Sequence, residues 1–509
     1  MNGRLKKIIL LLVAVALLAG GGRVQLVLNR DRDQLGLTRV APLENAPPVL
    51  AFTTVALGGF RGLISNFLWM RAGELQDEGK YFEMKQLADW ITKLEPHFEQ
   101  VWVHQAWNMA YNISVKFKEA PTENPYDFKE FPDRWRWVKA GIELLRDQGL
   151  RYNPNSVLIH RELAWFFQHK MGANLDDANM YYKQQWTEEM ETVFGEWREP
   201  DVAELVNPQT EDQKQRAALL REKYKMDPAF MLELNERHGP LEWRLPEAHA
   251  IYWAAVGLRK AEENPGRVNK DDLIQLRRVI YQSMQTSFQR GRLELNPYVK
   301  RFEFGPNLDI IPKVVAAYEE AMEEDERNRD HIATAHRNLL RQAVYFLYVH
   351  NRLGEAAKWF RYLGQKYPDK PLLDGNTNSL PGRLTLDDYA VHYVLEDINE
   401  TSRDRVKSAI EGYLTRAFYS LVVGQDDRAA GFRLMAQKIR ETYREKIGPQ
   451  SWARIPLPTI EETSRIILEE LLDPETGYPP EARAVLLSKL GITEQDVFGP
   501  RTNSVPRPQ

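Results

Sequence analysis

Two places in this chain of 509 residues put a glutamate beside a tryptophan, a pairing that could serve the cleavage of a polysaccharide. Glu162 stands three residues before Trp165, and Glu242 directly precedes Trp243. Glycoside hydrolysis uses a pair of carboxylates around the scissile bond, one as the acid and the other as the base or nucleophile. A glutamate near a tryptophan is also common on any helix, and nothing in the spacing selects these two. We therefore assign no catalytic residue from the sequence.

Residues that could hold a metal ion or act as a nucleophile are also poorly placed. The closest histidine pairs, His97 with His104 and His331 with His336, lack the four-residue spacing that puts two imidazoles on one helical face around zinc. The chain contains no cysteine, which excludes disulfides, thiolate nucleophiles and cysteine-bearing zinc sites. Glycine-rich phosphate loops and the G-x-S-x-G nucleophile motif are missing as well. The sequence predicts neither a metal nor a cofactor.

The composition describes the body that must position any functional residue. Hydrophobic residues make up 43% of the chain and charged residues 28%, so most of the chain can form a packed core. The net charge of -4 gives no sign of nucleic-acid binding. Aromatic residues make up 11%, including 13 tryptophans. These rings either fill the spaces between stacked helices or line a groove for sugars or peptides.

Helical periodicity dominates beyond residue 60, and no run of alternating apolar residues predicts a sheet. One helical pattern occurs twice with a shift of 34 residues. Its positions are Leu68, Arg71, Ala72 and Leu75 in the first copy, then Trp102, Gln105, Ala106 and Met109 in the second, with Pro96 between them. This period and framework resemble tetratricopeptide repeats. The resemblance implies an all-α fold, a tetratricopeptide-like α–α superhelix or solenoid with insertions.

A later unit, 340–368, matches the same framework. Ala343 and Ala356 let two helices approach, Phe360 fills the gap between them, and Pro368 ends the second helix. Weaker units have their first helices at 160–167, 251–258 and 414–421. Only the first two units keep the strict period, so the resemblance covers about half of the chain, with long insertions between units.

The resemblance also implies where a partner would bind, because the first helices of successive repeats present their side chains to the guest. Four polar residues on the first helices of the first two units are therefore predicted to contact another protein or peptide: Arg71, Gln105, Asn108 and Asn112. Arg71 and Gln105 are polar where the framework has an apolar residue, which motivates this role. A local defect in packing is the alternative explanation.

The N-terminal residues predict a membrane anchor. Positive residues precede an uncharged stretch, 8–22, that is shorter than the roughly 20 residues of a membrane span. Continuing to Leu28 reaches a spanning length if Arg23 extends to the interface. The alternative is a signal peptide cleaved near Ala19 or Gly20. The charges place the N-terminus in the cytoplasm, which predicts a single-pass protein of a bacterial inner membrane with its bulk in the periplasm.

These signals divide the chain into six segments. They are the signal anchor 1–30, a linker and membrane-proximal helix 31–62, repeats 63–190, an insertion 191–245, a second set of helical pairs 246–450, and a C-terminal helical extension and tail 451–509. A second apolar stretch, 49–69, is interpreted as a packed helix that leads into the first repeat. An interfacial helix is the alternative for that stretch.

The sequence as a whole predicts a membrane-anchored extracytoplasmic scaffold that binds another protein or peptide in an envelope, secretion or transport assembly. The competing hypothesis is an envelope enzyme that acts on polysaccharide through an all-helical α/α toroid. That enzyme needs a deep cleft in which two carboxylates lie roughly 5–9.5 Å apart. An open groove between helix pairs favours the scaffold.

Overall fold

The structure is a computed structural model that is 79% helical, which confirms the predicted all-α class. It describes residues 3–34, 60–120, 130–173, 175–195, 200–296, 301–350, 352–373, 377–396, 403–454, 457–474 and 476–498. The first part of the chain forms α1 (Gly3–Gln34), α2 (Phe60–Asp77), α3 (Tyr81–Leu94), α4 (Glu99–Trp107), α5 (Pro132–Glu143), α6 (Val157–Trp165), α7 (Asn179–Phe194), α8 (Ala203–Val206), α9 (Glu211–Glu222) and α10 (Pro228–His238). A short helical turn, Leu150–Tyr152, ends the α5 region.

The second part is helical in the same way. It forms α11 (Pro246–Glu263), α12 (Lys270–Arg290), α13 (Ile311–Glu324), α14 (Arg329–Val349), α15 (Leu353–Lys366), α16 (Leu386–Glu396), α17 (Arg403–Val422), α18 (Asp426–Arg454), α19 (Ile460–Leu471), α20 (Pro480–Leu490) and α21 (Glu494–Phe498). Short 3-10 turns are Ser114–Lys116, Pro265–Arg267, Leu308–Ile310 and Glu326–Asn328.

One antiparallel hairpin interrupts the helices. Its strands are Arg292–Asn296 (β1) and Arg301–Gly305 (β2), with Leu293 opposite Phe304 and Leu295 opposite Phe302. Both strands alternate apolar and polar residues with the two-residue period of a β-strand. The expectation that no run of the chain forms a sheet is therefore wrong at this one place.

Helix starts in and directly after the insertion 191–245 follow from caps and prolines. Thr210 accepts a hydrogen bond from the backbone N of Gln213 at 3.2 Å, and the Gln213 side chain accepts one from the Thr210 backbone N at 3.0 Å. This capping box satisfies two donors that have no partner inside the helix. α10 and α11 begin with Pro228 and Pro246, at a position where the missing N–H costs no hydrogen bond.

The described residues form one large core and one small core. The large core runs from Trp102 to Val497 and links α4 to α21 without interruption. The small core contains Ala72, Leu75 and Met84, which join α2 to α3. The first helical pair is therefore held together by few apolar contacts, while the rest of the chain shares one interior.

Small residues bring the helices of the large core into close contact. A Cβ at Gly141 would lie 3.0 Å from the backbone O of Ala106, so α5 and α4 touch almost backbone to backbone. A Cβ at Gly257 would lie 3.1 Å from the Leu276 side chain and 3.2 Å from His160. Three helices, α6, α11 and α12, therefore meet at Gly257 with no space for a larger side chain.

The N-terminal helix α1 is 32 residues long, and its described apolar side chains, such as Leu17 and Leu26, are exposed. Within the part of the chain that the structure describes, no helix meets the length and hydropathy needed to cross a membrane. Of the predicted linker and membrane-proximal helix, 31–62, the first residues belong to α1 and the last to α2, and residues 35–59 fall outside the described residues.

Candidate functional site

A groove of about 380 Å³ opens between α10, α11, α12 and α13. Its floor is apolar and consists of buried side chains from α10, α12 and α13, with half-buried side chains from α11 and α13 beside them: Phe230, Leu234, Ile280, Tyr281 and Ala321, then Ala255, Leu258 and Ala317. We call this cavity the central groove. Because α10 belongs to the insertion and α13 follows the hairpin, the groove unites parts of the chain that are far apart in sequence.

The rim of the central groove carries charges of both signs. Glu233 accepts from Arg259 at 2.8 Å. Arg277 contacts Glu324 at 3.0 Å, and a third pair joins Arg237 to Glu320 at 3.9 Å. These side chains are largely exposed, and exposed ion pairs contribute little net free energy. The rim charges can therefore exchange their present partners for those of a guest at small cost.

One further contact joins the rim to the floor, and burial sets the charge of His238 beside it. The Arg259 guanidinium lies 3.8 Å from the centre of the Phe230 ring, which is a cation–π contact between rim and floor. Burial lowers the pKa of His238 to about 4, and the neighbouring positive charges of Arg237 and Lys313 act in the same direction. The His238 imidazole is consequently neutral at pH 7 and adds no charge to the groove.

A second groove of about 310 Å³ lies between α4, α6 and α12. Two exposed tryptophans, Trp107 and Trp165, face it, together with polar side chains: Arg161, Glu162, Gln168, Gln275, Arg278 and Gln282. We call it the aromatic groove. On α12, residues 275, 278, 279 and 282 line the aromatic groove, whereas 277, 280 and 281 line the central groove. At 3.6 residues per turn these two sets occupy opposite faces of the helix.

The four polar residues predicted to bind a partner have different environments. Arg71 is exposed on α2 and donates to Glu74 at 2.7 Å. Gln105 is 2% exposed and Asn108 is 1% exposed. Asn108 Nδ2 donates to the Tyr81 carbonyl O at 3.4 Å, and Asn112 Nδ2 donates to Asn108 Oδ1 at 3.1 Å. The structure thus brings Asn108 and Asn112 together, and places Arg71 on a separate helix.

Burial favours a role in packing for Gln105 and Asn108. Asn108, directly after α4, is joined to the start of α3 by its hydrogen bond to the Tyr81 carbonyl O. The Gln105 Oε1 atom is buried and has no hydrogen-bond partner among the described residues. A buried acceptor without a partner costs free energy unless a buried water satisfies it. None of the four residues lines the central or the aromatic groove among the described lining residues.

The other residues considered for chemistry are buried or hydrogen-bonded to neighbouring residues. Trp243 is fully buried, and Arg244 donates to both carboxylate oxygens of Glu242 at 2.8 and 2.9 Å. His97 Nδ1 lies 3.0 Å from the Tyr152 carbonyl O, and His336 Nδ1 lies 2.8 Å from the Tyr367 hydroxyl. Within the described residues, no group of three potential ligands could hold a metal ion.

Sequence reasoning did not find either groove as a site. Trp165 and Glu162 were singled out by their proximity, but their neighbour across the groove, Trp107, lies 58 residues away on α4. An equal spacing separates Tyr111 from His169, and this repeated offset is a signal that the sequence does carry. The central groove has no such signal, because its walls come from unrelated segments.

No family model, curated protein or solved structure matches the chain. What the two grooves can bind must therefore be inferred from their own geometry and charge.

Proposed function

We propose that this protein is a membrane-anchored, tetratricopeptide-like helical scaffold whose central groove binds a helix or peptide segment of another protein. The observation that carries the proposal is the composition of the groove: an apolar floor set below a rim of exposed arginine and glutamate pairs. An amphipathic segment fits such a groove, with apolar anchors on the floor and charged residues of both signs at the rim.

The helical pairs support the tetratricopeptide-like part of the proposal. In the first two units the small residues Ala72 and Ala106 are buried, as close helix packing requires. In the unit 340–368, Ala343 and Ala356 are fully buried on α14 and α15, and these two helices pack against each other. Paired helices of this kind build extended binding surfaces in repeat proteins.

Exposed apolar residues support the membrane part of the proposal. The described leucines and valines of α1 are exposed, including Leu12, Leu17 and Leu26. Large exposed apolar surfaces in proteins mark contacts with membranes or with other proteins. Together with the positive charges that precede them, they favour an anchor with the repeats on the extracytoplasmic side.

The competing enzyme hypothesis has less support from the groove. Four glutamates line the central groove, but a glycosidase needs one carboxyl group that stays protonated in apolar surroundings. Glu233 and Glu320 are 58% and 61% exposed and already contact arginines. Carboxylates that are solvated and paired in this way suit recognition better than proton transfer.

Site-specific photo-crosslinking in the full chain tests the proposed groove. In one variant, a photoreactive phenylalanine analogue replaces Glu262, which lines the central groove. In a second variant of the same chain, the analogue replaces Glu469 on α19. We expect irradiation of membranes to join a protein to position 262 and leave position 469 unlinked. Equal labelling at both positions, or none at 262, contradicts the proposed groove.

Charge reversal tests the role of the rim. The double variant Arg237→Glu/Arg259→Glu should lower capture of the crosslinked protein by roughly tenfold, because it replaces two attractive contacts with repulsive ones. Arg465→Glu is the matched control, since Arg465 forms a similar exposed pair with Glu469 at 3.2 Å. Unchanged capture by the double variant, with the control equal to the parent protein, refutes a charged docking rim.

Extraction of membranes tests the anchor separately. The full chain should stay in the membrane pellet after washing at alkaline pH, and Leu12→Arg/Leu17→Arg should release it, because charged residues are costly in hydrocarbon. Release of the unsubstituted chain by the same wash contradicts the anchor and leaves the groove proposal to its own tests.

A further inference from the structure

The aromatic groove contains two exposed indole rings in a repeated local arrangement. Trp107 is 41% exposed and Trp165 is 37% exposed, although the large core could have buried rings of this size. Trp107 stacks on Tyr111, four residues later, with ring centres 4.9 Å apart and planes at 19°. Trp165 stacks on His169 with ring centres 4.5 Å apart and planes at 11°. Each exposed indole is thus supported by a second ring.

The backbone changes at the same point in both helices. α4 ends at Trp107 and continues as a π-helical turn, Asn108–Ile113, while α6 ends at Trp165 and continues as Phe166–Gly172. Short π-helical stretches inside helices are rare and occur frequently at functional sites, and a third stretch of this kind, Leu144–Gly149, lies outside the aromatic groove. The two ring pairs are also joined directly, since the Tyr111 hydroxyl lies 3.2 Å from His169 Nδ1.

Buried charges hold the stacked rings in place. The Lys170 ammonium lies 4.9 Å from the centre of the Tyr111 ring. Lys170 donates to Asp176 at 2.5 Å, and Arg134 donates to the same carboxylate at 3.3 Å. The Lys170 side chain is only 3% exposed. Rings fixed in this way lose little conformational entropy when a ligand binds on them.

The polar lining of the aromatic groove supplies both donors and acceptors. Gln168 Nε2 donates to Gln282 Oε1 at 3.3 Å, which is a long bond that a ligand hydroxyl can replace. Arg161 Nη2 donates to Glu162 at 3.0 Å. The groove therefore offers amides, a guanidinium and a carboxylate around two flat apolar faces.

We propose that the aromatic groove binds a carbohydrate chain. The C–H faces of two sugar rings stack on Trp107 and Trp165, while sugar hydroxyls bond with Gln168, Gln282 and Glu162. Hydroxyls both donate and accept, so they satisfy amides and a carboxylate together. A proline-rich peptide is the other ligand for an aromatic groove, but its backbone offers mainly acceptors, and these would oppose the Glu162 carboxylate.

This site is independent of the proposed protein-binding groove. The two cavities lie on opposite faces of α12, so one can be occupied while the other is free. A scaffold with both sites would hold its partner protein next to a glycan. The failure of either site leaves the other unaffected, because the residues tested differ.

Calorimetric titration of the purified full chain tests the carbohydrate site. The probes are maltohexaose and chitohexaose, and a peptide of nine prolines is the rival ligand. We expect at least one saccharide to bind, with a dissociation constant on the order of 10–1000 µM, and the peptide to give no heat. Binding of neither saccharide at about 5 mM, or binding of the peptide alone, overturns the proposal.

Substitutions connect binding to the two rings. Trp107→Ala and Trp165→Ala should each weaken saccharide binding by roughly tenfold, whereas Trp165→Phe should retain most of it because a flat ring remains. Trp90→Ala is the matched control, since Trp90 is 47% exposed on α3, outside the groove. Circular dichroism confirms that each variant is folded. Saccharide binding that survives both alanine substitutions refutes this site.

Discussion

Helix α12 separates a groove rimmed by arginine and glutamate from a groove lined by tryptophan and glutamine. In the central groove the charges are exposed at the rim and the buried floor is apolar. In the aromatic groove the order is reversed, because the rings are exposed and ions such as Lys170 and Asp176 are buried beneath them. One helix thus borders two different surfaces. In the central groove the exposed layer is charged and the buried layer is apolar, whereas in the aromatic groove the exposed layer is aromatic and the buried layer is charged.

This difference indicates which kind of ligand each groove can bind. Exposed charges cost little to rearrange, so the central groove can adapt to a partner. Buried charges are costly to separate, so the ions below the aromatic groove fix the geometry of the rings above them. We expect an adaptable surface to accept a flexible segment and a rigid surface to suit a ligand of defined shape.

The largest expected effect is a loss of stability in acid, because two buried histidines, His160 and His249, lie on α6 and α11, helices that contribute walls of the two grooves. Burial lowers the pKa of His160 and of His249 to about 4. Unfolded histidine has a pKa near 6.5, so between pH 6.5 and 4 the unfolded chain binds more protons than the folded one. Stability is present above pH 6.5 and falls as the pH drops to 4, by up to about 3 kcal/mol for each such histidine.

Urea unfolding followed by circular dichroism at several pH values measures this effect. A stability that stays constant from pH 6.5 to 4 contradicts the lowered pKa values. The variant His331→Gln serves as the control for the loss of a histidine side chain, because His331 is exposed.

The next effect concerns the ions below the aromatic groove. Burial raises the pKa of Asp176, but the Lys170 ammonium, the hydrogen bond from the Ala178 backbone N–H and the Arg134 charge together outweigh it and keep the pKa below its usual range. Asp176→Asn should lower the free energy of unfolding by about 3–5 kcal/mol, because it leaves Lys170 buried without its counter-charge. The double variant Lys170→Met/Asp176→Asn should recover part of that loss, since the buried ammonium is gone, while Arg134 still lacks the carboxylate it contacts at 3.3 Å. Equal losses in the two proteins contradict the role assigned to the pair.

Helical class and the close helix contacts could be predicted from the sequence, whereas the grooves could not. The 3.6-residue period of apolar residues is a local property, and it led to the all-α class. The small residues Ala343 and Ala356 are expected from the sequence at a helix contact, and both are fully buried. The hairpin at 292–305 was missed because each strand offers only two apolar residues between long helices.

Polarity alone does not reveal where a side chain points. Gln105 was assigned to a groove because it is polar, yet it is 2% exposed. The neighbouring Asn108 has its partner, the Tyr81 carbonyl, on another helix, so its hydrogen bond is set by tertiary packing. The central groove needs both α10, from the insertion, and α13, which follows the hairpin. These two helices come together only through tertiary packing. No local pattern carries that information.

A smaller effect on stability is expected at Gly257, where α6, α11 and α12 are in contact. Gly257→Val should lower the free energy of unfolding by about 1–3 kcal/mol, because the new side chain would overlap Leu276 and His160. Gly354→Ala is the control, since a Cβ at Gly354 meets nothing within 4 Å, and its stability should be unchanged or slightly higher. If Gly257→Val unfolds at the same urea concentration as the parent protein, α6, α11 and α12 are not as close as described.

The smallest effect is expected at the rim of the central groove. Glu324 is 33% exposed and contacts Arg277 at 3.0 Å. Glu324→Gln should change the free energy of unfolding by less than about 1 kcal/mol, because solvent and salt screen an exposed pair. The measurement is urea unfolding at low and high sodium chloride, where any difference from the parent protein should shrink as salt rises. A loss as large as that of Asp176→Asn would mean that the rim charges are structural, and the contrast between an adaptable and a rigid face of α12 would then disappear.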